Sequence, residues 1–134
     1  MQVVKVSLDI DAVDPKDLTK FKRRPLHEAA GAIWETFVFA QLRQRERRAG
    51  RTGSLFFWRD RTREVDFLVD VGGRLELFEA KWTEVPTATD AVNLELVREV
   101  VGKSRVADGA VISRTPNGYP LANGFRAMPV TELD

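Results

Sequence analysis

Residues 64–81, Glu-Val-Asp-Phe-Leu-Val-Asp-Val-Gly-Gly-Arg-Leu-Glu-Leu-Phe-Glu-Ala-Lys, read as two alternating strands joined by a two-residue turn. Gly72-Gly73 supplies the positive φ angles that tight hairpins demand, and a two-residue loop fixes the register. Residues whose numbers sum to 145 then face each other. Phe67 meets Phe78 on one face and Leu68 meets Leu77 on the other, which are sensible apolar partners. The same rule sets Asp66 opposite Glu79, with Cβ atoms about 4.5–5.5 Å apart. Lys81 lies two residues beyond Glu79 on the same face, and Glu64 lies opposite Lys81. The face carrying Leu68, Leu75 and Leu77 therefore turns polar at one end.

Two carboxylates facing each other on a sheet repel, and partial burial makes the repulsion worse. Three arrangements relieve it. A divalent cation suits a site of two carboxylates plus waters, Mg²⁺ above all. Lys81 can neutralise one acid, or Glu64 and Lys81 can form an ordinary cross-strand salt bridge. Spacing alone leaves all three open.

Working outward, Leu26 to Arg48 reads as a long helix. Leu26, Ala30, Ile33, Trp34, Phe37, Val38 and Leu42 fall on one continuous arc. Gly31 lies inside that arc, where a missing side chain permits close approach to a sheet. Glu35 falls about 20° past Leu42, so its carboxylate looks along the helix–sheet boundary. Gly50 and Gly53 end the helix. Ser54 to Arg59 is an aromatic-rich strand. After the hairpin, which runs to Trp82, Thr87 and Asp90 open a second helix with Ala91, Leu94, Val97 and Val101 on one face. Gly109 to Ser113 is a short buried strand, and Met128 to Leu133 is expected as a last edge strand. Residues 1–24 read as an N-terminal arm or linker, possessing one alternating stretch at Val3–Ile10 that suits a strand. Residues 25–134 are the domain. The order α-β-β-β-α-β is that of an α/β layered fold, a central mixed sheet flanked by helices.

Composition bounds the function classes. The chain has 134 residues, 43% hydrophobic and 31% charged, with no cysteine. Disulfides and thiolate metal sites are excluded, and the usage fits a reducing cytoplasm. No apolar run reaches bilayer-spanning length, and the first ten residues lack a signal-peptide pattern. The net charge of +1 hides an uneven distribution. Arg43, Arg45, Arg47, Arg48, Arg51, Arg59, Arg61 and Arg63 stand against Glu46 and Asp60, a local +6. Such a cluster makes a phosphate-binding face or a solvated helix end and loop, and charge alone leaves both open.

Four segments follow one another in a characteristic order: Gly31-Ala-Ile-Trp-Glu35-Thr-Phe-Val, Phe57-Trp-Arg-Asp60, Glu64-Val-Asp66-Phe-Leu and Leu77-Phe-Glu79-Ala-Lys81. Together they resemble the uncharacterised C-terminal domain found on many bacterial and archaeal AAA-type ATPases, which belongs to the PD-(D/E)XK nuclease-like group. The similarity runs from about Leu26 to Leu133, including the Ala127-Met-Pro-Val-Thr-Glu-Leu ending. It implies a restriction-endonuclease-like core and metal-dependent phosphodiester hydrolysis on DNA. Asp66 is then the motif aspartate, and Glu79 and Lys81 the E-x-K pair. Mg²⁺ or Mn²⁺ is held by Asp66, Glu79 and the carbonyl of Ala80, joined by Glu35 in many members. Lys81 orients the attacking water. Val65 replaces the proline of the name motif without removing a ligand. The second helix lacks the Gln-x-x-x-Tyr signature of one branch, so that branch's strand-processing role is not implied. No Gly-x-x-x-x-Gly-Lys-Ser/Thr motif is present, so the chain is expected to be a stand-alone relative or a fragment of an ATPase-linked protein. The alternatives are a catalytically silent nucleic-acid-binding module, or a module that docks an ATPase domain or a second copy of the chain.

Overall fold

The computed structural model describes residues 2–5, 26–59 and 64–133. The elements are strand β1 (Gln2–Lys5), helix α1 (Leu26–Arg48), strands β2 (Leu55–Arg59), β3 (Glu64–Val71) and β4 (Arg74–Ala80), helix α2 (Val92–Val101), and strands β5 (Val106–Ser113), β6 (Tyr119–Pro120) and β7 (Arg126–Pro129). The strands form one seven-stranded mixed sheet in the order β1-β2-β3-β4-β5-β7-β6. The first four run as an antiparallel meander; β5 joins β4 in parallel, and β7 joins β5 in parallel. The parallel step follows from chemistry. A helix-length crossover between β4 and β5 returns the chain to the same end of the sheet.

Opposite faces of the sheet carry separate cores. Leu68, Leu77 and Val111 pack with Ala91, Leu94 and Val97, from the α2 region. Phe67, Val69, Phe78, Ala110 and Ile112 pack with Val38 and Leu42 of α1. β2, β3, β4, β5 and β7 each send apolar residues to both cores, which is the pattern of an α/β sheet covered on both sides. Gly109 is one tight point. A Cβ there would stand 2.5 Å from the Phe125 ring and 3.2 Å from the Leu77 carbonyl oxygen.

The hairpin register holds for five pairs, from Phe67↔Phe78 to Val71↔Arg74. Gly72 and Gly73 have φ of 63° and 87°, and the Gly73 amide donates to Asp70 Oδ1 at 2.9 Å. Other expectations need correction. β4 ends at Ala80, leaving Lys81 and Trp82 beyond the strand. Ile33 and Phe37 are 56% and 43% exposed, because α1 rests on the sheet through Val38 and Leu42 and not across its whole apolar arc. Nothing lies within 4 Å of a Cβ at Gly31, so no close approach requires glycine there. The last strand is Arg126–Pro129, and it is interior. The two-residue β6, carrying Pro120, takes the edge that Met128–Leu133 was expected to occupy. Proline suits an edge because it has no amide to donate. The N-terminal strand is present as β1, paired along β2; residues 6–25 lie outside the described residues.

Candidate metal centre at a fork in the sheet

The two acids of the hairpin sit where the sheet divides. β3 stays paired with β2 as far as Arg59↔Glu64, and β4 stays paired with β5 as far as Ala80↔Ile112. Between β3 and β4, however, pairing stops at Phe67↔Phe78. Asp66 and Glu79 are the first residues past the split. A bulge accompanies it. Phe56 pairs with Leu68 while Trp58 pairs with Val65, so β3 carries one extra residue in the Asp66–Phe67 region. In agreement, Val65 and Leu68, three apart, belong to the same apolar cluster, which strict alternation forbids. Bulges of this kind re-aim side chains beside functional sites.

At the fork a side chain replaces the missing ladder. The Ala80 amide donates to Asp66 Oδ2 at 2.8 Å. The next amide, Lys81 N–H, donates the other way, to the Ile112 carbonyl at 3.0 Å. In a strand, a residue's N–H and C=O point to the same side. The Ala80 carbonyl therefore faces the fork with the Ala80 amide.

The electrostatics are those of a site short of positive charge. Glu79 is 5% exposed and its carboxyl is pushed up to about 9. Burial is the main cause, followed by the Asp66 charge and a hydrogen bond between the two carboxyls; the Lys81 ammonium pulls only weakly the other way. Burial also raises Asp66, against the Ala80 amide, the Glu79 hydrogen bond and Lys81. Without a cation, the pair keeps a proton at neutral pH. Glu79 Oε1 is buried without a hydrogen-bond partner. Two hard oxygen donors in this state, one of them orphaned, fit a small divalent cation. Asp66, Glu79 and the Ala80 carbonyl are the groups placed to hold it.

The remaining candidates are dispersed. Glu35 is on an exposed position of α1, and among the described residues no three acidic or histidine side chains stand together as a metal-binding group. Glu64 pairs with Arg59 at 3.2 Å and not with Lys81. The arginine cluster is partly structural. Arg45 contacts Glu46 and Glu76 at 3.1 and 2.7 Å, and Arg51 contacts Glu46 at 2.6 Å. Ser54 Oγ donates to Glu46 as well, at 3.1 Å. Burial would raise the Glu46 carboxyl, but Arg51, Arg45 and Ser54 together hold it below its ordinary value. Glu46 lies one turn after Leu42 on the same arc of α1, a signal by which its burial was legible. Arg43 is partly buried, Arg47 and Arg48 are exposed, and Arg61 and Arg63 lie outside the described residues.

A family model described as Domain of unknown function (DUF4143) matches residues 30–133, most of the chain and the whole of the fork. The chain belongs to the DUF4143 family. No curated protein and no solved structure matches it. The DUF4143 segment begins within α1 and ends after β7, so the family's span takes in α2 and the part of α1, with Val38 and Leu42, that packs on the sheet. Among the described residues, no helix is long and apolar enough to cross a membrane.

Proposed function

We propose that this DUF4143 domain hydrolyses phosphodiester bonds in DNA, on a restriction-endonuclease-like core of the PD-(D/E)XK type. The observation that carries the reading is the proton-sharing pair of buried Glu79 and half-buried Asp66 at the β3–β4 fork, with Lys81 near both carboxyls. An ion pair or a hydrophobic pair would be a cheaper way to close a sheet. Facing acids persist at a cost, and a cation-dependent site gives them a use. Asp66, Glu79 and the Ala80 carbonyl would hold Mg²⁺ or Mn²⁺. When bound, the cation supplies charge stabilisation at the scissile phosphate. Lys81, exposed just beyond the strand end with its ammonium near both carboxylates, would orient an attacking water. Glu35 is left out of this set, since it does not group with the two acids. Of the arginines, exposed Arg47 is better suited to DNA phosphates than Arg45 and Arg51, which hold Glu46.

A docking module for an ATPase domain or a second copy would present the β2 aromatics at a sheet edge. Instead β1 covers β2, and Trp58 is 2% exposed.

The test is nicking of supercoiled plasmid in Mg²⁺ or Mn²⁺ and in chelator. Wild type should nick only with metal. Lys81→Ala and Asp66→Asn should each lose the activity, by at least about a hundredfold. Full-rate nicking by purified Lys81→Ala would overturn the mechanism.

A further inference from the structure

Directly after Lys81 in the chain, Trp82 joins an aromatic surface that the hydrolytic chemistry leaves unused. Phe37 and Trp82 are each 43% exposed, and Ile33 is 56% exposed. Trp34 joins them, with its ring centroid 5.7 Å from Phe37 and 5.6 Å from Trp82. Its indole N–H donates to the Ile112 carbonyl at 3.1 Å, which anchors the group to β5. Trp82 follows Lys81 directly in the chain, and the segment is fixed: Thr83 N–H donates to the Lys81 carbonyl, and Arg114 N–H to the Thr83 carbonyl, both at 2.9 Å. The Arg114 guanidinium sits 3.9 Å from the centroid of the Trp82 ring and 3.7 Å from Glu84.

We infer that Phe37, Trp34 and Trp82 form a stacking platform for unpaired bases, and that the substrate of the neighbouring site is single-stranded DNA or a single-stranded arm of a duplex. This rests on the proposed hydrolytic reading for the word substrate, although the platform itself is a binding site. Unpaired nucleotides present the two things the surface matches. Their bases offer flat π faces to the aromatics, and their phosphates offer negative charge to Lys81 and Arg114. Paired bases are stacked on each other and offer no such face. The Arg114 guanidinium set over the Trp82 ring distinguishes the surface from a plain apolar patch built to dock protein, whose centre is depleted of charge. Trp82 follows Lys81 in the chain, at the end of the strand that carries Glu79, so a strand laid across the rings would pass close to the fork.

The test uses fluorescence anisotropy of the full chain in chelator at low salt, with a labelled oligothymidylate and a blunt duplex as probes. Wild type should bind the single strand more tightly than the duplex. Trp82→Ala and Phe37→Ala should each lose about tenfold in single-strand affinity with little change for the duplex, and Trp82→Phe should retain most of it. Equal single-strand binding by wild type and both alanine variants would overturn the platform. So would equal losses on both probes, or a dimer in sedimentation that Trp82→Ala dissociates, which would make the patch a protein interface. Cleavage of duplex in Mg²⁺ with no single-strand preference would leave the hydrolytic reading standing and sink the platform. Single-strand binding that depends on Trp82, with no cleavage in any metal, would keep the platform and sink hydrolysis.

Discussion

The Ala80 amide donates to the Asp66 carboxylate at 2.8 Å, across the gap where β3 and β4 part. A side chain thus completes hydrogen bonding that the backbone ladder leaves undone. Asp66 also shares a hydrogen bond with Glu79, and strand geometry turns the Ala80 carbonyl to the same opening. The fork, the bulge and the acid pair are one feature. Moving any of them would scatter the rest.

That feature makes metal-free stability depend on pH. Glu79 keeps its proton up to about 9 in the folded chain, against an ordinary value of 4.5. Between those values the folded state binds more protons than the unfolded one, so stability should fall as pH rises through the window. Melting curves in chelator across this range should show a steeper decline for wild type than for Glu79→Gln, which has no proton to lose. Parallel curves for the two proteins would place Glu79 in an ordinary solvated setting.

Glu46 should behave in the opposite sense. Its carboxyl is held low by Arg51 and Arg45 against the effect of burial, so it stabilises the fold above its unfolded value, and that stability is lost on acidification. Glu46→Ala would leave Arg45 and Arg51 without their shared partner and should cost about 3 kcal/mol at neutral pH, measured by urea unfolding. A change within about 0.5 kcal/mol would reduce the network to surface decoration.

Much of this was legible in the sequence. Gly72-Gly73 set the hairpin, and with it the neighbourhood of Asp66, Glu79 and Lys81. Alternation along residues 64–80 and the helical arc through Val38 and Leu42 gave the layers. Local patterns could not reveal that the hairpin opens at Phe67↔Phe78, because a two-residue turn sets the register near the loop and says nothing about how far pairing continues, and β5, which holds β4 past the split, is distant in sequence. Glu35 was expected to join the acids, and it stands at an exposed position of α1, outside any metal-binding group of three among the described residues. A wheel gives a direction around the helix, not where the helix rests on the sheet. Charge counting along the arginine run could not show that Glu46 is a buried centre that binds Arg45 and Arg51. The short strand Tyr119–Pro120 was invisible because two residues carry no period.

The most direct measurement is calorimetric titration of Mg²⁺ or Mn²⁺ into the metal-free protein near neutral pH, repeated in buffers of different ionisation heat. A cation held by Asp66, Glu79 and the Ala80 carbonyl must displace the proton the pair shares. Binding should therefore release about one proton per ion, raise the melting temperature, and vanish in Glu79→Gln and Asp66→Asn. No binding heat with an unchanged melting curve at millimolar metal, or undiminished binding by both variants, would contradict a metal centre at the fork.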